Sequence, residues 1–547
     1  NTTPANNIVF LGATKATVTA ASATSLTVTV PVGATYAPIK VLNTATSLAA
    51  ASSASFTPTY SPAKTGITST DFSASQDFTT GLYPYSIGIG DLDGDGKPDL
   101  AFANLNSSTV SVLRNTATSG SISSSSFAAK QDFTTGSGSM SVAIADFDGD
   151  GKPDLAVANQ STNDVSVLRN TSSIGTISFA AKQDFAVGSA PSGVAVGDFD
   201  GDGKPDLAVA NYNSNSISVF RNTSSNGTIS FATKQDFTTG SQPRSVTIGD
   251  LNGDGKPEMV STNTAVTDIS LFTNTSTSGS INFTAKQDLS VGIHPYSAGI
   301  GDLDGDGKPD LAVVNYTSND VSILRNTTTG GSISFATRHN FSIGGSTESV
   351  AIGDLDGDGK PDLAFAHTLA NSIGVLRNTS SVGSIGNGSF ATIEYFATGQ
   401  YPRSVAIVDL DGDGRPEIAA ALGVQVLGAS VLRNADPPSN ITTSVTSLSA
   451  FSACAGSVSA QQSFTTNGAG LSNNITITAP TGFEVSVTSG SGFASSLTLT
   501  QAGGVVATTT IYVRVAANAT GSPSGNITVA STGATTKNVG VSATVNS

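Results

Sequence analysis

The sequence predicts an all-β protein: a seven-bladed β-propeller with acidic metal-binding loops, flanked by two β-sandwich domains. Three observations carry this expectation. The acidic string Asp-x-Asp-Gly-Asp-Gly-Lys/Arg-Pro-Asp/Glu occurs seven times, once with Asn for its second Asp. Each repeat divides into four short stretches of alternating or fully apolar residues, the strand count of a propeller blade. No stretch sustains the apolar spacing of an amphipathic helix.

Composition narrows the function classes. At 547 residues the chain is long enough for two to four units. Charged residues make up only 12%, against about a quarter in typical globular chains, so Ser, Thr, Asn and Gly must supply the polar surface. A net charge of −15 disfavours nucleic acid or an anionic membrane as partner. No uncharged apolar run reaches the ~18 residues of a membrane-spanning helix. Cys454 is the only cysteine, which excludes an intrachain disulfide and a thiolate metal site; it is expected to be a small buried hydrophobe. The opening Asn1-Thr2-Thr3-Pro4 carries no basic or apolar leader and reads as a processed or truncated start.

The acidic strings begin at Asp91, Asp146, Asp198, Asp250, Asp302, Asp354 and Asp409, at spacings of 55, 52, 52, 52, 52 and 55 residues. In the third repeat the expected strands are Val194–Val196, Leu207–Ala210, Ser216–Phe220 and Ser230–Phe237. A fourth-strand string, Phe-x-Ala-x-Gln-Asp-Phe in its clearest copies, starts at Phe72, Phe127, Phe179, Phe231, Phe283, Phe335 and Phe390. Its first copy precedes the first acidic loop and none follows the seventh. The N-terminal copy is therefore expected to complete the last blade and close the ring, which leaves no open array edge. With the core Gly-Asp-φ-Asp-Gly-Asp-Gly-Lys-Pro-Asp-φ-Ala almost intact, residues 72–435 resemble the FG-GAP/VCBS repeats of integrin-α-type propellers. The resemblance implies a calcium ion in the turn between the first and second strands of each blade.

The chemistry of the loops agrees. Calcium takes six to eight hard oxygen ligands, and glycines at loop positions 4 and 6 allow the tight turn that brings positions 1, 3, 5 and 9 together. The carbonyl at position 7 is a further candidate ligand. The first loop thus offers Asp91, Asp93, Asp95, Lys97 and Asp99, and the second Asp146, Asp148, Asp150, Lys152 and Asp154. The third has Asp198, Asp200, Asp202, Lys204 and Asp206, and the fourth Asp250, Asn252, Asp254, Lys256 and Glu258. The fifth has Asp302, Asp304, Asp306, Lys308 and Asp310, and the sixth Asp354, Asp356, Asp358, Lys360 and Asp362. The seventh has Asp409, Asp411, Asp413, Arg415 and Glu417. The loops are not EF-hands, because position 12 of the first is Phe102 and strands flank it. Of 28 side-chain ligand positions 27 are acidic, so seven calcium ions would bring the net charge from −15 to −1. The fourth and seventh loops depart from the pattern and are the expected weak sites. Seven equivalent loops without an adjacent base point to structural rather than catalytic metal.

The ends read as separate modules, with boundaries at 1–70, 71–435 and 436–547. Residues 1–50 show strands at Asn7–Phe10, Ala16–Ala20, Ser25–Val30 and Ile39–Leu42, and Ala21 to Pro31 resembles part of an IPT/TIG Ig-like domain lacking its first strands. After the linker Asp436-Pro437-Pro438-Ser439, alternating runs at Asn474–Thr478, Phe483–Val487, Ser496–Thr500, Thr508–Val515 and Val539–Val545 indicate a sandwich. It resembles Ig-like modules of secreted bacterial proteins. Six positions before each loop-opening Asp stand Tyr85, Met140, Ser192, Arg244, Tyr296, Glu348 and Arg403. Of these, Tyr85, Arg244, Tyr296 and Arg403 are candidates for binding a glycan or peptide, with help from Tyr83, His294 and Tyr401. Asn-x-Ser/Thr triplets at Asn106, Asn170, Asn222, Asn274, Asn326 and Asn378 are expected to reflect mostly the Ser/Thr/Asn-rich composition, with glycosylation of an exposed turn as the alternative. His294, His339 and His367 fall at non-equivalent positions without a nucleophile partner, so no enzyme is expected. The sequence therefore points to a secreted or surface-attached bacterial protein without catalytic activity, joined to copies of itself head to tail through its end domains. A monomeric lectin-like adhesin and an accessory region of a larger secreted enzyme are the alternatives.

Overall fold

The apolar runs of the repeat become strands buried on both faces. In the computed structural model, the second strand of each repeat, Asp206–Asn211 in the third, is buried at every residue. Such strands need partners on both sides, and antiparallel neighbours supply them: Pro191–Gly197 before, Ser216–Phe220 after, then Gln235–Thr238 at the exposed edge. The structure describes residues 2–43, 48–60, 64, 66–225, 227–424, 428–435, 439–471, 473–501 and 504–547. The linker expected at Asp436–Ser439 lies, at 436–438, outside the described residues.

Seven four-stranded antiparallel sheets follow one another. In the first six, all strands are consecutive. In the seventh, Pro402–Val408, Glu417–Leu422 and Ala429–Leu432 are completed by Gln76–Phe78, the strand that the extra N-terminal string announced. The first strand of every sheet packs beside the first strand of the next, and that of the seventh beside that of the first. The series thus closes on itself as a β-propeller does.

Side chains between neighbouring sheets hold the seams. Ala101, Val110 and Val112 of sheet one, for example, share a core with Val142, Leu155 and Val157 of sheet two. The phenylalanines of the fourth-strand string explain their spacing: the first ring of one copy meets the second ring of the copy before it. Phe133–Phe179 and Phe185–Phe231 are edge-to-face with centroids 4.9 and 5.1 Å apart.

Residues 1–60 belong to the same compact unit as 65–434. They form one five-stranded antiparallel sheet from β1 (Asn7–Leu11), β2 (Thr14–Ala21), β3 (Leu26–Thr29), β4 (Ala37–Asn43) and β5 (Leu48–Phe56), in the order β3-β2-β1-β4-β5. β5 was not expected, since its Ala/Ser-rich sequence carries no apolar alternation.

The second unit comprises 61–64 and 435–547. A four-stranded and a five-stranded sheet share one core, with Phe464, Ile511 and Val513 from the first facing Ile477, Ile527 and Val539 from the second. Cys454 is exposed at the end of Phe451–Cys454, which corrects the expectation of a buried thiol. The strand alternates Phe451 and Ala453 inward with Ser452 and Cys454 outward, and the two-residue period decides the matter.

Candidate functional site: the acidic loops

Each acidic loop begins where a first strand ends. Position 2 is an apolar anchor, and Leu92, Phe147, Phe199, Leu251, Leu303, Leu355 and Leu410 are at most 1% exposed. Positions 4 and 6 need left-handed backbone, and Gly94 and Gly96 take φ of 78° and 88°. Their amides donate to the two oxygens of Asp91, at 2.8 and 3.0 Å. The amide of Asp95 donates to Asp93 and that of Lys97 to Asp95. Asp99 closes the turn, accepting from the Leu92 amide at 2.9 Å and, across the sheet, from the Asn115 amide at 2.7 Å.

The turn gathers the carboxylates. In Asp91/Asp93/Asp99, Asp146/Asp148/Asp154, Asp198/Asp200/Asp206, Asp302/Asp304/Asp306 and Asp354/Asp356/Asp362, one oxygen from each residue lies within 4.8 Å of the others. Two ligands 2.3–2.6 Å from one calcium ion can stand no farther apart than about 5 Å. Burial pushes Asp99, Asp154 and Asp206 up to about 8 and Asp146 and Asp310 up to about 7, with neighbouring carboxylates adding to the shift. Asp362 and Glu417 are raised well above the ordinary carboxylate range by the same burial. A divalent cation would compensate both the desolvation and the mutual repulsion. The donor set, hard oxygens only, fits calcium. The Lys97 ammonium is turned away to the Ala117 carbonyl at 2.7 Å, as Lys152, Lys204, Lys256 and Lys360 are to theirs, so only the position-7 carbonyl remains as a ligand.

Two features escaped the sequence reading. The first is an arginine after the third strand. Arg325 donates to Asp304 and Asp306, Arg377 to Asp356 and Asp358, and Arg433 to Asp411 and Asp413. Arg114, Arg169 and Arg221 stand 3.8–3.9 Å from the matching position-3 Asp. The fourth loop lacks both charges, having Asn252 and Thr273 in these places. The paired loss was visible in the sequence as a broken Leu-Arg-Asn string.

The second is the asparagine that follows the arginine. Asn222 donates to the Phe147 carbonyl of the preceding sheet's loop at 2.9 Å and to the Pro205 carbonyl of its own at 2.8 Å. Asn170, Asn274, Asn326 and Asn378 repeat the bridge. These five are the repeat-borne candidate glycosylation sites, and they are 0–2% exposed with their amide nitrogens in use. That burial agrees with the compositional reading of these five and goes against their glycosylation in the folded chain; Asn106 is exposed. Hairpin tips add further links, for Gly175 donates to Asp93 and Gly279 to Asp200 of the preceding sheet, at 2.9 and 2.8 Å. Each loop is therefore part of a seam between sheets.

At the opposite end of the first strands, the expected ligand residues meet one another. The Tyr85 hydroxyl donates to Glu348 at 2.7 Å, and Arg403 donates to the other Glu348 oxygen. Arg244 donates to Tyr85, and its guanidinium lies 4.8 and 5.2 Å from the Tyr85 and Tyr296 ring centres. Met140 is buried and Ser192 bonds to the Pro243 carbonyl. Side chains from sheets one, four, five, six and seven thus satisfy each other. Tyr83, His294 and Tyr401 each immediately precede a first strand, with φ of 54°, 56° and 56°, and Tyr296 stacks on Tyr316 at 4.8 Å. The histidines stay apart: His294 pairs with Thr317, His339 with Asn387 and His367 with Thr347.

The chain resembles known proteins at several levels. The model of the FG-GAP-like repeat matches at 91–157, 146–209, 198–261, 252–313 and 302–365. Among solved structures, an inactive virginiamycin B lyase from Staphylococcus aureus with quinupristin is 16% identical, covering 66% of this chain and 99% of its own, with a TM-score of 0.42. An Agrocybe aegerita lectin that recognises non-reducing terminal N-acetylglucosamine is 16% identical, with coverages of 71% and 89% and a TM-score of 0.39. A Lactobacillus plantarum protein is 13% identical, with coverages of 73% and 98% and a TM-score of 0.40. No curated protein matches in sequence. The five matched repeats together span residues 91–365, about half of the chain, and the protein belongs to the FG-GAP-like repeat family.

Proposed function

We propose that the chain is a non-enzymatic, calcium-binding structural protein of the bacterial cell exterior, a seven-bladed propeller with Ig-like end domains. The observation that carries this reading is the placement of the buried carboxylate clusters at seams between sheets. An ion there ties two neighbouring blades, as a disulfide would in a chain with more than one cysteine. Calcium at extracellular levels saturates sites of modest affinity, which suits a protein whose loops are destabilised without metal. The histidines pair with Thr317, Asn387 and Thr347 and stand apart from one another, which favours a scaffold over an enzyme.

Assembly into a filament or array through the end domains remains our leading reading of the role. The second unit offers edge strands Asn440–Thr443 in one sheet and Ser496–Leu499 in the other, and sheet edges accept added strands. Electron microscopy of the calcium-loaded and chelated protein tests this. Ordered polymers in calcium support it; single particles in both samples exclude it. A second reading, a monomeric adhesin for glycan or peptide, draws on Tyr296 stacked on Tyr316 and the exposed Tyr401 and His294. Glycan-array binding abolished by Tyr316→Ala and Tyr401→Ala would favour it.

A further inference from the structure

The N-terminal sheet lies on the acidic-loop side of the ring, and its contacts are with the loops themselves. The Tyr36 hydroxyl accepts from the backbone amide of Asp302, a candidate ligand of the fifth loop, at 2.8 Å. The Tyr60 hydroxyl donates to the carbonyl of Leu355, position 2 of the sixth loop, at 2.8 Å, and Thr59 donates to Gly357 of the same loop at 3.2 Å. The Tyr60 ring also packs 5.5 Å from the guanidinium of Arg415 in the seventh loop. Three glycines of the unit mark close approach: Gly33 against Pro98 of the first loop, Gly151 of the second against Ile8, and Gly412 of the seventh against Val32. Lys40 on β4 feels the Asp198 carboxylate of the third loop.

We propose that the β1–β5 sheet is a calcium-gated cover for the acidic-loop face. Nearly every anchor is a loop backbone group or a glycine-lined surface whose position depends on the turn, and the turn is where the ion would sit. Without the cation, four crowded carboxylates repel within each loop, and the backbone that Tyr36, Thr59 and Tyr60 grip is free to relax. The sheet has little to hold it otherwise. Among the described residues Ile8, Val9, Leu11, Ala16 and Ala34 form its small buried core, while Val18, Leu26, Val28 and Ile39 stay partly exposed, and a sheet must bury its apolar face against a second layer. Ion binding and docking are then linked, so each strengthens the other by the same factor. Release of the sheet would bare the loop face and the apolar side of β1–β5 together.

This inference rests on calcium occupying the loops, and the test separates the two. Hydrogen exchange of the full chain is followed in calcium and after chelation, with bound calcium counted in each sample by elemental analysis. The expected result is that amides in β1, β2 and β4 exchange roughly tenfold faster or more after the ions leave, while the second strands of the seven sheets remain protected. In calcium, Tyr36→Ala is expected to speed exchange in β1–β5 alone and to lower calcium affinity by the factor that docking loses. Ions that leave without loosening β1–β5 would overturn the gating alone, as would opening of β1–β5 and the ring in one step. A starting protein without bound calcium would sink the loop reading and the gating together.

Discussion

Replacing Arg325 with threonine is expected to weaken the metal-free protein and tighten calcium binding at the fifth loop. The guanidinium reaches Asp304, whose side chain is fully buried, and Asp306 at 2.9 Å, while itself remaining 24% exposed. In the absence of metal it is the positive charge nearest the cluster. Its loss leaves buried carboxylates with one cation fewer, a cost of about 1–2 kcal/mol once solvent screening of the arginine is allowed for. In the presence of calcium the same charge is unfavourable. A guanidinium about 5 Å from a divalent ion would repel it by about 1.7 kcal/mol even at the dielectric of water, so removal is expected to raise the site's affinity by roughly 15- to 20-fold. The fourth loop has made this exchange already, with Asn252 and Thr273 standing where the matching Asp and Arg are found in the other repeats. The double change Asp304→Asn/Arg325→Thr copies it, and is expected to be more stable in chelator than the sum of the single changes implies. The assays are urea denaturation in chelator and calcium titration of parent and variants. A fall in calcium affinity in Arg325→Thr would refute the argument, since the arginine would then be shaping the loop rather than balancing its charge. Additive single changes, within about 0.5 kcal/mol, would refute the pairing itself.

Other outcomes follow from the same structure. Asn222→Ala removes one hydrogen bond to the preceding sheet's loop and one to its own and leaves buried carbonyls unpaired, so it is expected to cost about 2–4 kcal/mol in chemical denaturation. His367 is buried and its imidazole is lowered to about 4 by desolvation. Its folded form favours the neutral ring, so stability is complete above the unfolded value near 6.5 and is lost as pH falls from there through 4, by about 3 kcal/mol. His367→Asn with Gly374→Ser restores the Asn–Ser pair seen at Asn315 and Ser322, and denaturation between pH 7 and 4 is expected to lose that component. Cys454, exposed on its strand, is expected to react at once with a thiol reagent in the native protein.

The periodic part of this molecule was legible because one repeat encodes one sheet. Spacing placed the first three strands of the third repeat within three residues, while the fourth, expected from Ser230, begins at Gln235, and the surplus string at Phe72 announced the pairing of Gln76–Phe78 with Ala429–Leu432. The loops were legible because the turn is local: glycines and carboxylates nine residues apart decide it. What crosses from one sheet to another was not. The bridge from Asn222 to Phe147 spans 75 positions, and an Asn-Thr-Ser triplet reads as a glycosylation signal until its burial is known. For Tyr85, Arg244, Glu348 and Arg403 the shared register was visible in the sequence while their contact with one another was not. The position of β1–β5 depends on single groups such as Tyr36 and Tyr60, which no local pattern distinguishes from surface tyrosines.

The central claim is that the acidic loops hold calcium and that the ions stabilise the ring of sheets. Its most direct test is to count calcium by native mass spectrometry in protein stripped and then reloaded, and to measure unfolding of both forms. At free calcium ten times the dissociation constant each site adds about 1.4 kcal/mol, so seven approach about 10 kcal/mol. The account predicts six or seven ions per chain and a reloaded protein that resists denaturation far better than the stripped one. A stripped protein that takes up no calcium, or unfolds at the same denaturant concentration with and without it, would contradict the account.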